Sequence, residues 1–190
     1  VCHFGVEFIT LTHSIPEPNA LAITTPLGRI IHTGDWKIDP MPLIGNTTNE
    51  SRLSELGQEG VLAMLCDSTN VFSEGESGSE QGVRDELTQL IGKYKNHRIT
   101  VACFASNVAR LETVILAAQQ FGRKVCLVGR SLHRMVAAAQ KVGYLKNISS
   151  FISDEEAMDM PPSKVLILST GSQGEPRAAL ARIAGNQHPV

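Results

Sequence analysis

Over the first third of the chain apolar and polar residues alternate in short runs, a period near two that predicts strands. Residues 7–12 (EFITLT) are β-prone, and 20–25 (ALAITT) form a second run. Pro26-Leu27-Gly28 signals a turn, so 29–33 (RIIHT) reads as the return strand of a hairpin. Residues 40–49, rich in Pro, Gly, Asn and Thr, predict a loop, and the apolar run 61–66 (VLAMLC) predicts a buried strand. The period then changes. Val83, Leu87, Leu90, Ile91 and Tyr94 fall at helical spacing with Ser79 as a candidate cap. A strand is expected at 99–104, then a helix carrying Val108, Leu111, Ile115 and Ala118 and stopped by Gly122. Residues 124–128 predict the next strand, and Leu132, Met135, Val136, Ala139 and Val142 a helix stopped by Gly143. Residues 164–168 predict a strand and 176–184 a helix with Pro176 in its first turn.

Strand–helix alternation of this kind predicts an α/β fold whose parallel sheet is covered on both faces. The polar stretch 73–80 (SEGESGSE) is the natural linker, so the reading divides the chain into 1–74 and 75–190.

The 190 residues are 42% hydrophobic and 19% charged, the composition of a chain able to bury a core. No apolar run approaches the roughly 18–20 residues that span a bilayer, which predicts no membrane partner. The first residues, Val1-Cys2-His3-Phe4-Gly5, have neither the basic nor the apolar region of a signal peptide and no initiator Met, so the chain reads as an excised segment. Cys2, Cys66, Cys103 and Cys126 form no CxxC pair, and the reading is buried, reduced thiols in a cytoplasmic protein.

Net charge is −2, but its distribution is uneven. Residues 93–146 hold ten Lys/Arg and one acid, Glu112, while the remainder holds seven basic and eighteen acidic residues. A basic segment beside an acidic remainder fits a polyanion footprint, or else solvated charges on separate helix faces.

Four polar clusters sit at the carboxyl ends of predicted strands, where α/β folds place functional groups. In 12–17 (THSIPE), His13 is either a metal ligand or a hydrogen-bonded surface histidine. In 33–37 (TGDWK), Asp35 could bridge two divalent cations or cap a turn, with Gly34 allowing close backbone approach. In 66–70 (CDSTN), Asp67 could orient a ligand histidine, move a proton or form an Asx turn. In 169–176 (STGSQGEP), glycines and hydroxyls ahead of a helix could hold a phosphate or simply connect two elements.

The order of these clusters, followed by a Rossmann-like alternation, resembles the ribonuclease J family of metallo-β-lactamase/β-CASP enzymes. Further matches are Phe104-Ala105-Ser106-Asn107 with Arg110, Gly129-Arg130-Ser131, and residues 170–176. The resemblance is colinear over essentially the whole chain. It implies part of a metallo-β-lactamase domain followed by a Rossmann-like β-CASP domain. It also implies metal-dependent hydrolysis of RNA phosphodiesters, by endonuclease or 5′-exonuclease action, with two zinc ions, or manganese, as cofactor. His13 and Asp35 would be metal ligands, Asp35 and Asp67 the catalytic carboxylates, and Ser68, Asn107, Arg110, Arg130, Ser131 and Ser172 contacts to RNA or phosphate. The implied partner is 5′-monophosphorylated single-stranded RNA, and the full-length protein would be a homo-oligomer.

The family's HxHxDH metal motif is absent from this chain, His188 stands in no motif context, and Ala109 stands where relatives often carry His. With only His13 and Asp35 from the ligand set, the chain by itself is expected to hold no metal and to be inactive. Two alternatives stay open: a metallo-hydrolase of small esters, which leaves the Asp67 cluster unexplained, and a non-catalytic RNA-binding relative.

Overall fold

The computed structural model describes residues 3–190 and divides into two compact units, 1–81 and 82–190. Cys2 lies outside the described residues.

The first unit is a four-stranded sheet in the order β1-β2-β3-β4, formed by Gly5–Thr10, Asn19–Thr25, Gly28–His32 and Ala63–Leu65. The hairpin between β2 and β3 turns at Pro26-Leu27, as the sequence predicts, with Thr25 pairing with Gly28. β1 is antiparallel to β2 and β2 to β3, whereas β4 is parallel to β3. Hence β1, β3 and β4 run the same way and end at one edge of the sheet.

Helix α1 (Glu50–Glu59) covers one face, placing Leu53 and Leu56 on a core of Ile9, Leu11, Ala20, Ala22 and Ile31. On the same face Arg52 pairs with Glu7 of β1, and Arg29 of β3 with Glu59. Helix α1, with Leu53 and Leu56 as its apolar positions, shows no sustained helical periodicity in the sequence. Residues 61–66 differ in another way: only Ala63–Leu65 form a strand, and Leu62, Met64 and Leu65 are exposed. β4 is an edge strand that the described residues leave uncovered, so its apolar run does not mean burial. Phe8 of β1 is likewise 72% exposed.

The second unit opens with α2 (Glu80–Lys93), whose first residues belong to unit one, because Glu80 and Gln81 donate backbone N–H groups to Asp39 and to the Met41 carbonyl. The parallel strands β5 (Ile99–Ala102), β6 (Lys124–Val128) and β7 (Val165–Ser169) form a sheet in the order β5-β7-β6. Every residue of β7 is buried, as a central strand with both faces covered must be. α3 (Val108–Gln120) buries Leu111, Val114, Ile115 and Ala118, and α4 (Arg130–Lys141) buries Leu132, Val136 and Ala139 at the predicted spacing, whereas Val142, expected on that face, is exposed at the C-cap. Against β6 and β7, α5 (Asp154–Asp159) contributes Ala157 and α6 (Ala179–Ala184) contributes Ala179.

The last helix is shorter than predicted. Residues 176–178 are turn rather than helix, since Ala179 and Leu180 donate their N–H groups to the side chain and carbonyl of Thr170. Of the cysteines, Cys103 and Cys126 are buried thiols outside any disulfide, as expected, but Cys66 is exposed beside β4. No helix among the described residues is long and apolar enough to cross a membrane.

Candidate functional site

His13, Asp35 and Asp67 lie just past the carboxyl ends of β1, β3 and β4, on the one edge of unit one where those strands end together. Thr12 fastens two of the loops. It pairs with Lys37 in an antiparallel bridge, its carbonyl accepts the Lys37 N–H at 2.9 Å, and its hydroxyl donates to the Lys37 carbonyl. The same hydroxyl accepts the Asp39 N–H at 3.0 Å and lies 3.1 Å from Thr48 Oγ1. The segment that leads into His13 and the one that follows Asp35 are thus stitched together through a buried threonine. Trp36 joins the third loop, packing on the unit-one core and donating its indole N–H to the Asp67 carbonyl at 3.3 Å. Thr33 Oγ1 accepts the Asp67 N–H at 3.2 Å.

The three candidates differ in state. Asp35 is exposed, with its carboxylate at the surface of the TGDWK loop. His13 is half-buried and its Nδ1 lies 3.2 Å from Ser14 Oγ, which leaves Nε2 for a ligand. Asp67 Oδ1 accepts from the Thr69 hydroxyl (2.5 Å) and N–H (3.0 Å), an Asx turn, and Oδ2 has no protein partner among the described residues. Those bonds from Thr69, hydroxyl first and then N–H, hold the Asp67 carboxyl below the ordinary range, with a smaller contribution from attraction to His13. Asp67 is therefore an ionised acceptor at neutral pH.

Gly34 has φ +61, and a Cβ built there would meet nothing within 4 Å. Its positive φ places the backbone in the left-handed turn that precedes Asp35. Two residues the sequence reading passed over support the loop. Asp39, 1% exposed, pairs with Lys37 Nζ at 3.0 Å, and Glu80 lies 3.7 Å from the same ammonium.

Imidazole and carboxylate are fitting donors for a divalent ion, and their shared edge suits a metal centre. No group of three or more His, Cys, Asp or Glu side chains converges among the described residues.

Unit two presents its own candidates on the carboxyl edge of its sheet: Asn107 and Arg110 after β5, Arg130 and Ser131 after β6, Ser172 after β7. A cavity of about 990 Å³ opens there, lined by Gly129, Arg130, Ser131, Arg134, Arg177 and Arg182, with Asp154, Glu175 and His188 also on its wall. The α4 N-terminus faces it from Gly129, which makes no side-chain cap. Four guanidinium groups and uncapped helix N–H groups favour an anion. Arg177 and Arg182 fall in the predicted helix 176–184, outside the basic segment and the polar clusters, whereas Arg134 stands one helical turn beyond Arg130 inside the basic segment.

The other expected contacts are placed differently. Asn107 is buried and its Oδ1 accepts the Arg110 N–H at 2.9 Å, capping α3. Ser172 is exposed and does not line the cavity, and in its loop Gln173 donates its N–H to Glu175. Ser68 is exposed in the turn after Asp67 and belongs to unit one. Nor is the basic segment one surface. Arg98 donates to the Ala157 carbonyl, and Arg123 is buried among backbone carbonyls.

Residues 96–190 match the family model described as "Ribonuclease J, beta-CASP domain". Ribonuclease J of Sinorhizobium meliloti is 47% identical over 97% of this chain and 32% of its own length. Ribonuclease J of Thermus thermophilus is 40% identical over 98% of this chain and 32% of its own length, and that of Corynebacterium glutamicum 47% over 97% and 26%. The chain thus spans about a third of the length of the curated relatives it matches. A crystal structure of a protein of unknown function from Enterococcus faecalis superposes with a TM-score of 0.61 at 20% identity, covering 88% of this chain and 42% of that one, which shows a shared fold. With its second half matched by the β-CASP model and nearly its whole length aligned with ribonuclease J sequences, the chain belongs to the ribonuclease J family.

Proposed function

We propose that the chain is part of a metal-dependent ribonuclease. On this reading residues 1–74 supply part of a metallo-β-lactamase domain and 75–190 the β-CASP domain. The observation that carries it is the shared sheet edge: an imidazole, an exposed carboxylate and an ionised, half-satisfied aspartate stand on three co-directional strand ends, stitched through Thr12 and Trp36. Small-ester hydrolysis would need neither Asp67 nor a β-CASP domain, and the match over residues 96–190 favours the ribonuclease.

His13 and Asp35 would hold divalent ions, zinc in our reading and manganese as the alternative, with Asp35 bridging the two. When bound, such ions supply Lewis acidity and lower the pKa of a coordinated water. Asp67, through Oδ2, would accept a proton or a histidine N–H while Thr69 keeps its other oxygen fixed. The arginine-lined cavity, with Ser131 at the α4 N-terminus, would receive an RNA phosphate, and a 5′-monophosphate suits it by charge. A cytoplasmic location and homo-oligomeric assembly of the full-length protein complete the proposal.

The test is cleavage of 5′-monophosphorylated RNA by the full-length protein and its Asp35→Ala variant. Loss of a bridging ligand should lower the rate by about a hundredfold or more; undiminished cleavage would remove Asp35 from the metal site. The isolated chain, holding only part of the ligand set, is expected to lose added zinc on dialysis. Zinc retained at one equivalent would show that His13 and Asp35 suffice.

A further inference from the structure

A second basic pocket lies at the opposite edge of the unit-two sheet, where the parallel strands begin. Its volume is about 290 Å³, and its polar wall is Lys95, Asn96, Arg123, Ser163 and Lys164. The apolar remainder is Ile91, Gly92 and Phe121, and no acidic residue lines it. The Phe121 ring presses on Gly92 so closely that a Cβ there would fall 2.5 Å from it, which keeps this wall shut.

Arg123 organises the pocket. It is 4% exposed, and its guanidinium donates to the carbonyls of Tyr94 and His97 in the loop before β5 and of Pro162 and Val165 around the start of β7. One side chain thus pins the two segments that carry Lys95 with Asn96 and Ser163 with Lys164. Carbonyl dipoles solvate the guanidinium but leave its charge uncompensated, and burial pulls its pKa down. Neither Lys95 nor Lys164 has an ion-pair partner among the described residues. Buried charge is ordinarily paired. Here three cationic groups and two neutral donors surround a space free of carboxylates.

We propose that this pocket binds a phosphate group, with Lys95 and Lys164 as its charged contacts over the buried Arg123. Two ammonium groups on flexible stems suit a compact, multiply charged oxyanion, and Asn96 and Ser163 supply neutral hydrogen bonds. The phosphate is either free or part of an RNA backbone. The site is distinct from the arginine-lined cavity, since the two lie at opposite ends of β6 and β7.

The experiment uses the full-length protein, a Lys95→Ala/Lys164→Ala variant and a Lys141→Ala/Lys146→Ala control of equal charge loss. All four lysines are exposed, so the fold should survive in both variants. Inorganic phosphate is titrated calorimetrically at constant ionic strength, and a 5′-hydroxyl oligoribonucleotide is titrated separately under non-cleaving conditions. Loss of both charged contacts is expected to weaken binding about tenfold or more relative to the control. If that loss appears with inorganic phosphate, the occupant is a free phosphate; if only with the oligoribonucleotide, it is a backbone phosphate. If neither ligand distinguishes the variant from the control, the proposal is overturned. These readouts need no cleavage, so they stand apart from the ribonuclease reading.

Discussion

Asp39 carries none of the proposed chemistry, yet three donors converge on its carboxylate. Burial works to raise its pKa, but the Glu80 N–H, the Lys37 ammonium and the Met41 N–H together hold it below the ordinary value. A carboxyl whose folded pKa is depressed adds stability above its unfolded pKa of about 3.9 and loses it as pH falls through that value toward the folded one. Asp39→Asn should therefore lower stability at pH 7 by about 3 kcal/mol, because it leaves Lys37 and buried N–H groups poorly matched. It should also flatten the acid limb of the stability curve, as urea denaturation at neutral pH and near pH 3.5 would show. Equal stability of variant and wild type at pH 7 would remove the ion pair from the account. The placement of His13, Asp35 and Asp67 at strand ends was legible in the sequence because each follows a strand-like run with a distinctive polar cluster. Asp39 and Thr12 were not, because their partners Glu80 and Thr48 stand 41 and 36 positions away.

Helices with several apolar positions at regular spacing, α2, α3 and α4, were legible from that spacing, although Leu90, Tyr94 and Val142 are exposed and the last two lie beyond the helix ends. Helix α1 was not: among residues 50–59 (ESRLSELGQE) only Leu53 and Leu56 are apolar, and ion pairs of Arg52 and Glu59 to the strands help hold it in place. β4 was read correctly as a strand and wrongly as buried, since an apolar run reports a preference for cover and not what supplies it. The start of α3 shows how one residue can serve an element and a site together. Asn107→Ala should cost about 1 kcal/mol, the usual worth of an N-cap side chain. Asn107→Asp keeps the capping oxygen and should keep that stability in thermal unfolding. Because it replaces the amide donor with negative charge, it should weaken RNA binding several-fold if Asn107 touches phosphate. Unchanged affinity in the aspartate variant would leave Asn107 with the cap alone.

Across the whole chain, a net charge of −2 conceals a division that the count over residues 93–146 only partly revealed. That count treats every cation as available, but Arg123 is buried among carbonyls and Arg98 bonds to the Ala157 carbonyl. The rest divide between the two ends of the unit-two strands, and Arg177 and Arg182 from beyond the segment join the carboxyl edge. Linear charge density counts cations, while the strands' parallel order decides which of them meet. The consequence is measurable as a salt slope. For single-stranded RNA, log K against log salt falls by about 0.7 for each phosphate neutralised. Arg130→Ala/Arg177→Ala in the full-length protein should therefore make the slope shallower by about 1.4 if each arginine meets one phosphate. The same pair should weaken binding most at low salt, where release of condensed ions contributes most. A slope identical to wild type would show that these guanidiniums face solvent during binding, and the arginine-lined cavity would then have to be dropped as the place where RNA is held.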